Sequence, residues 1–235
     1  MTAQARAKTA AESLIEAAPV TTGAKYSHIV WDWNGTLLDD VDWCMRQVNQ
    51  MLAKRDLDVF RSLSDYHAVF NFPIRDYYQQ AGFDFDKEPF EDLTIEYMDL
   101  YHADDTGNCS LHPGAERTLR QINQWGISQL ILSASSQANL QSQVSKFPIK
   151  PLFDDILGIS NEYASGKIDI GMSYFKNRQI DQALMVGDTV HDFEVASALN
   201  IDCLLVANGH HDEERLQACG VPVLSDISQV LDFII

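Results

Sequence analysis

Basic residues are scarce in this chain: 17 Lys plus Arg stand against 34 Asp plus Glu, a formal net charge of -17 over 235 residues. Such a field repels both a nucleic-acid backbone and an anionic membrane, so neither is expected as a partner. Cysteine is sparse too. Cys44, Cys109, Cys203 and Cys219 are far apart and form no CxxC pair, which argues against a zinc site or a disulfide framework and for reduced thiols in the cytoplasm. No apolar run approaches the roughly 18 residues that a membrane-crossing helix needs. Residues 1–26 lack a signal-peptide apolar core. Arg6 and Lys8, without nearby acids, give that stretch a weak transit-peptide character, and a short helix around Ala10 to Ala18 or a frayed extension is expected there.

What is present suits a soluble globular protein: 46% of the residues are hydrophobic and 22% charged, enough to bury a core as one domain with a sizeable insertion, or as two. The run SHIVW is short, apolar and β-branched and reads as a buried strand ending at Asp32. From Val41 the period changes. Val41, Cys44, Met45, Val48, Met51 and Leu52 repeat at helical spacing, and further helical patterns follow near 63–70, near 73–82 and through Phe90, Leu93, Tyr97, Leu100 and Tyr101. Nothing between Asp42 and Cys109 reads as a strand.

Alternation resumes after LHPGAE, where Pro113 opens a helix that Gly126 closes. Strands are expected at SQLILS, DDILGIS, ALMVGD, DCLLVAN and VPVLS, with helices at Ser136 to Lys146, DIGMSYFKN, DFEVASALN, DEERLQAC and the C-terminus. Strands separated by short helices predict an α/β fold, a parallel sheet with helices on both faces, here interrupted after its first strand by an all-helical insertion. In such sheets ligands bind beyond the carboxyl ends of the strands. The residues there are Asp32 and Asn34, Ser133, Lys167 in the loop ASGKID, and Asp188 and Asp192. A phosphoryl group on Mg²⁺ asks for these parts: carboxylates for the hard cation, and an ammonium, a hydroxyl and free backbone N–H groups for the phosphate oxygens.

The ordered set DWNGT, LILS, a loop lysine and GDTVHD resembles the four motifs of the haloacid dehalogenase superfamily, and the helical stretch resembles the cap that follows the first motif in phosphoglycolate-phosphatase-like members. The resemblance spans Ser27 to the C-terminus. It implies a Rossmann-like core (27–41 and 110–235) with an inserted all-helical cap (42–109) behind an N-terminal extension (1–26). It also implies Mg²⁺, a small phosphorylated substrate and an aspartyl-phosphate. A monomer or homodimer is expected.

Carried over residue by residue, Asp32 is the nucleophile and a metal ligand, the Asn34 carbonyl and Asp188 are further ligands, and Asp192 is a ligand through water or a support. Ser133 and Lys167 hold the phosphoryl group beside the backbone of Trp33, Asn34 and Ala134. Gly35 permits the turn and Thr36 ties it. Arg75 is the choice for a second anionic group of the substrate.

Bland readings stand beside these. Thr189 and Asp192 form a capping box, Ser135 or Ser136 can cap a helix, and Asp39 and Asp40 suit the start of the first inserted helix. Lys167 can be a solvated loop lysine; the family has a proline after it where this chain has Ile168. His191, His210 and His211 read as solvated loop residues, and Trp31, Trp33 and Trp43 as packing between core and cap. Asn34 stands where the family's DxDGT pattern has its acid–base aspartate, and an amide trades no proton near neutral pH. A slow phosphatase, or one biased to leaving groups that need no proton, is therefore expected. A ligand sensor without turnover and a 2-haloacid dehalogenase are the alternatives.

Overall fold

In the computed structural model, residues 25–103, 109–159 and 166–234 are described; the helix expected at Ala10 to Ala18 lies outside them. Six strands, β1 (His28–Trp31), β4 (Ser128–Ser136), β5 (Asp155–Ile159), β6 (Ala183–Gly187), β7 (Asp202–Val206) and β8 (Val223–Leu224), form one sheet in the order β5-β4-β1-β6-β7-β8. Every pairing in it is parallel.

Strand alternation builds two cores. Ile29 and Trp31 of β1 face the side covered by α5 (Ala115–Gln124), α6 (Gln137–Val144) and α10 (Val230–Ile234). Val30 faces the side covered by α7 (Lys167–Arg178), α8 (Val190–Leu199) and α9 (Glu213–Gln217). Within the described residues the expected strands and helices are found, with two shifts. β4 runs on to Ser136, past an irregular register after Leu132, and α7 starts at Lys167, so this lysine is a helix's first residue and not a loop residue.

Between β1 and β4 the chain forms α1 (Val41–Ala53), α2 (Leu63–Val69), α3 (Ile74–Gln80) and α4 (Phe90–Ala103). Their apolar faces close on each other around Met51, Leu52, Tyr66, Phe70, Tyr77 and Leu93, a core separate from the two beside the sheet. Where this segment leaves and rejoins the sheet domain, β2 (Leu38–Asp39) pairs antiparallel with β3 (Ser110–Leu111). That ladder was not legible in the sequence, because two-residue strands carry no period. No helix among the described residues is long and apolar enough to cross a membrane.

Candidate active site

Asp32 and Asp188 follow directly on neighbouring strands: Trp31 of β1 is level with Val186 of β6, and the Asp32 N–H still donates to the Val186 carbonyl at 2.9 Å. Asp192 reaches the same point from the first turn of α8. There it completes a capping box, accepting from the Thr189 N–H at 3.0 Å and its hydroxyl at 2.7 Å. The cap and the site are thus one arrangement. Lys167, only 3% exposed, donates to Asp32 Oδ1 at 2.5 Å and to Asp192 Oδ1 at 2.6 Å.

Carboxylate oxygens of Asp32, Asp188 and Asp192 lie within 4.8 Å of one another, an all-oxygen set of the kind that holds a hard divalent cation. Burial pushes the Asp32 carboxyl up to about 8 against the opposing pull of Lys167, and burial with the Asp192 charge pushes Asp188 up to about 7. Burial also works against the charges of Asp192 and Lys167, but their mutual attraction wins: Asp192 sits below the ordinary carboxylate value and Lys167 above the ordinary lysine value. Three buried acids against one ammonium leave an excess of negative charge, which a cation would complement.

Ser133 is buried at the end of the apolar part of β4, its Oγ accepting from the Ser135 N–H at 3.1 Å, and it lines the same cavity as Asp32, Asn34, Ala134, Lys167 and Asp192. Ser136, not Ser133, caps α6. Gly35 has φ +74, and a Cβ there would collide with Asp188 and His210, so the turn needs glycine for both reasons. Thr36 ties the turn outward instead of inward, donating to Asp188 Oδ1 at 2.6 Å.

One sequence-predicted residue is not brought to the chemistry. Arg75 is exposed and lies over the rings of Phe85 (4.6 Å) and Phe90 (5.3 Å), away from the cavity lining, so it is not available for a substrate anion. The Trp33 indole, expected as packing, is buried and donates to Gln143 at 2.9 Å.

Other residues at the site were missed. Asp40, read as a helix-start acid, is the N-cap of α1 but makes no capping bond with its side chain; it is 1% exposed and turned inward. It accepts from Asn34 Nδ2 at 2.7 Å, the Gly35 N–H at 2.9 Å and the Tyr101 hydroxyl at 2.8 Å. Asn34 Oδ1 in turn accepts from Ser135 at 2.8 Å. His210 and His211, expected in solvent, are 5% and 1% exposed. The His210 ring stacks on Phe70 at 4.6 Å and bonds Tyr66 at 2.8 Å, and burial holds both imidazoles below the ordinary histidine value, His211 at about 3. His191 is half-buried against Phe72. Tyr66, Phe70 and Phe72, which bond or stack on these rings, belong to the helical segment, which the local sequence around the histidines does not reveal.

Residues 29–206 match the family described as haloacid dehalogenase-like hydrolase. A phosphoglycolate phosphatase of Cereibacter sphaeroides is 28% identical over 134 residues, 55% of this chain and 61% of the relative, so the match spans less than two thirds of that protein. The fold is that of a predicted phosphatase from Clostridium acetobutylicum (TM-score 0.72, 21% identity, 89% of this chain and 98% of that one). A haloacid dehalogenase-like family protein from Streptococcus pneumoniae is similar over the same shares, 89% and 98%, with a TM-score of 0.77 and 18% identity. With the family matched over most of its length and the acids, lysine and serine of its motifs gathered at one sheet edge, the chain belongs to the haloacid dehalogenase-like hydrolases.

Proposed function

We propose that the protein is a Mg²⁺-dependent phosphatase that moves the phosphoryl group of a small phosphorylated substrate to Asp32 and then to water, with the helical segment 42–109 serving as its cap. The observation that carries this is the Asp32 carboxylate at the end of β1, open to the cavity, bonded to Lys167 and grouped with Asp188 and Asp192. A nearby phosphoglycolate phosphatase relative supports the reaction class.

Asp32, Asp188 and the Asn34 carbonyl, with Asp192 directly or through water, would hold the cation. Bound there, Mg²⁺ supplies charge neutralisation at the phosphoryl oxygens. The chain's own groups do the rest. Lys167 pulls against the burial that raises the Asp32 carboxyl and aims it by its short bond, and Lys167 and Ser133 hold the phosphoryl oxygens in line. An Asp32 oxygen bonds to phosphorus as the ester P–O bond breaks; water then attacks the aspartyl-phosphate, releasing phosphate and regenerating Asp32. Asn34 cannot protonate the leaving oxygen, so an alkoxide must take its proton from solvent, whereas an acyl phosphate or pyrophosphate leaves without one. General acid–base help is worth about 10²- to 10⁴-fold of the roughly 10⁶-fold or more that enzymes achieve, so its loss slows turnover without abolishing it.

The test is phosphate release from p-nitrophenyl phosphate, acetyl phosphate and alkyl phosphates, with and without Mg²⁺, beside Asp32→Asn. Mg²⁺-dependent release that vanishes in the variant is expected; equal release by the variant refutes the nucleophile. A second reading, a phosphate-ligand sensor, is favoured by one observation: Asn34 is fixed between Asp40 and Ser135 with no proton to give. It predicts Mg²⁺-dependent thermal stabilisation by phosphate analogues and no release on long incubation.

A further inference from the structure

The cavity above Asp32 has a volume of about 640 Å³, and its two ends differ in kind. At the sheet edge it is polar, lined by Asp32, Asn34, Ser133, Lys167 and Asp192. Toward the helical segment its wall is Tyr66, Phe70, Phe72, Ile74, Tyr77 and Met98. Among the described residues lining it, Lys167 is the only Lys or Arg, and that ammonium is engaged by two carboxylates. Asp99 adds a negative charge to the lining. Of the histidines that line it, His210 bonds Tyr66, His191 contacts Glu194 and Phe72, and the exposed His102 packs edge-on against Tyr101. A carboxylate or second phosphate on the substrate would lose its water here without a cation to replace it.

One polar group on the apolar wall has no partner. The Tyr77 hydroxyl is buried without a hydrogen bond, in a residue 2% exposed that lines the cavity. Burial pushes its pKa up, so it stays a donor across the working range. That oxygen is closed off from solvent, so Tyr77 offers the cavity its ring and not its hydroxyl.

Building on the phosphatase proposal, we propose that this site selects phosphate monoesters whose organic part is uncharged and largely apolar. The aromatic wall takes the apolar body while the sheet edge takes the phosphate. Doubly anionic esters, phosphoglycolate included, are poor substrates.

The full chain with Mg²⁺ is given benzyl phosphate, a benzyl phosphate bearing one ring carbonyl, 2-phosphoglycolate and fructose 1,6-bisphosphate, all with alkyl leaving groups so that Asn34 weighs on each alike. Release from p-nitrophenyl phosphate, lost in Asp32→Asn, checks the phosphatase activity separately. Expected is kcat/KM at least about 10-fold higher for the two benzyl esters, the scale of burying a few methylene equivalents instead of an unpaired anion. Equal or higher kcat/KM for phosphoglycolate or the bisphosphate overturns the proposal. Should no ester turn over, thermal stabilisation with Mg²⁺ by benzylphosphonate against phosphonoacetate decides it, and stronger or equal stabilisation by phosphonoacetate overturns it.

Discussion

Replacing Asn34 by aspartate restores the acid that the family pattern has, but the structure shows that the new carboxylate would not enter a neutral setting. Asn34 Nδ2 donates to Asp40 Oδ2 at 2.7 Å, and Asp40 is 1% exposed. Two carboxylates at that separation repel by about 6 kcal/mol at an effective dielectric constant of about 20, several times the roughly 1.4 kcal/mol that moves a pKa by one unit. The pair therefore holds one proton at neutral pH and titrates as a unit. A protonated acid next to the leaving oxygen is what an alkyl ester needs. Asn34→Asp should raise kcat/KM for alkyl phosphates by up to about 10²- to 10⁴-fold and leave acetyl phosphate nearly unchanged.

The same proton sets the variant's stability. The pair's upper pKa is raised above the unfolded carboxylate value, so its contribution is fully present at low pH and is lost as pH rises through that upper pKa. Thermal melts of Asn34→Asp should fall, relative to wild type, as pH rises from 6 to 9, and Asn34→Asp with Asp40→Asn should remove the difference. Parallel melting curves for wild type and Asn34→Asp would refute the Asn34–Asp40 pairing, and equal gains on alkyl and acetyl phosphate would refute the leaving-group reasoning.

Gly35→Ala puts a methyl against Asp188 and His210 at a positive φ, and should cost about 1–3 kcal/mol in chemical denaturation and most of the Mg²⁺-dependent activity; a variant as active as wild type would contradict the packing around Asp188. His211 is held neutral, at about 3 in the folded chain, so the unfolded chain binds more protons below the ordinary histidine value and stability falls as pH drops from about 6.5 toward 3. Against His211→Asn, wild type should lose up to about 1.4 kcal/mol more per pH unit over that range in urea titrations, and identical slopes would place His211 in solvent. Arg75→Ala should leave kcat/KM within about twofold for every ester, because its guanidinium lies on Phe85 and Phe90, and a surface cation–π contact is worth only about 0.5–1 kcal/mol of stability.

The sheet and most of its helices were legible because each rests on local periodicity: SHIVW and ALMVGD announce β1 and β6, and the spacing from Val41 to Leu52 announces α1. The position of Lys167 was half legible. Its presence beside the acids followed from the motif order, but its place at the first position of α7 did not, since no capping side chain precedes it: Gly166 is the N-cap. Arg75 misled because a cation on an exposed helix looks free until the rings beneath it are seen.

The sequence by itself determined the α/β fold, the all-helical insertion between β1 and β4, and the acids, serine and lysine at the strand ends. Those features follow from hydrophobic period and from residues adjacent in the chain. Only the tertiary structure decided what surrounds them. Asn34, Asp40, Tyr101 and Ser135 form one network from distant parts of the chain, and His210 is buried by Phe70 of the inserted segment. Hydrogen bonds and burial of this kind depend on which elements pack together, which single-residue spacing cannot encode. The amide at position 34 is therefore half of a pair, and its chemistry is set as much by Asp40 as by the aspartate it replaces.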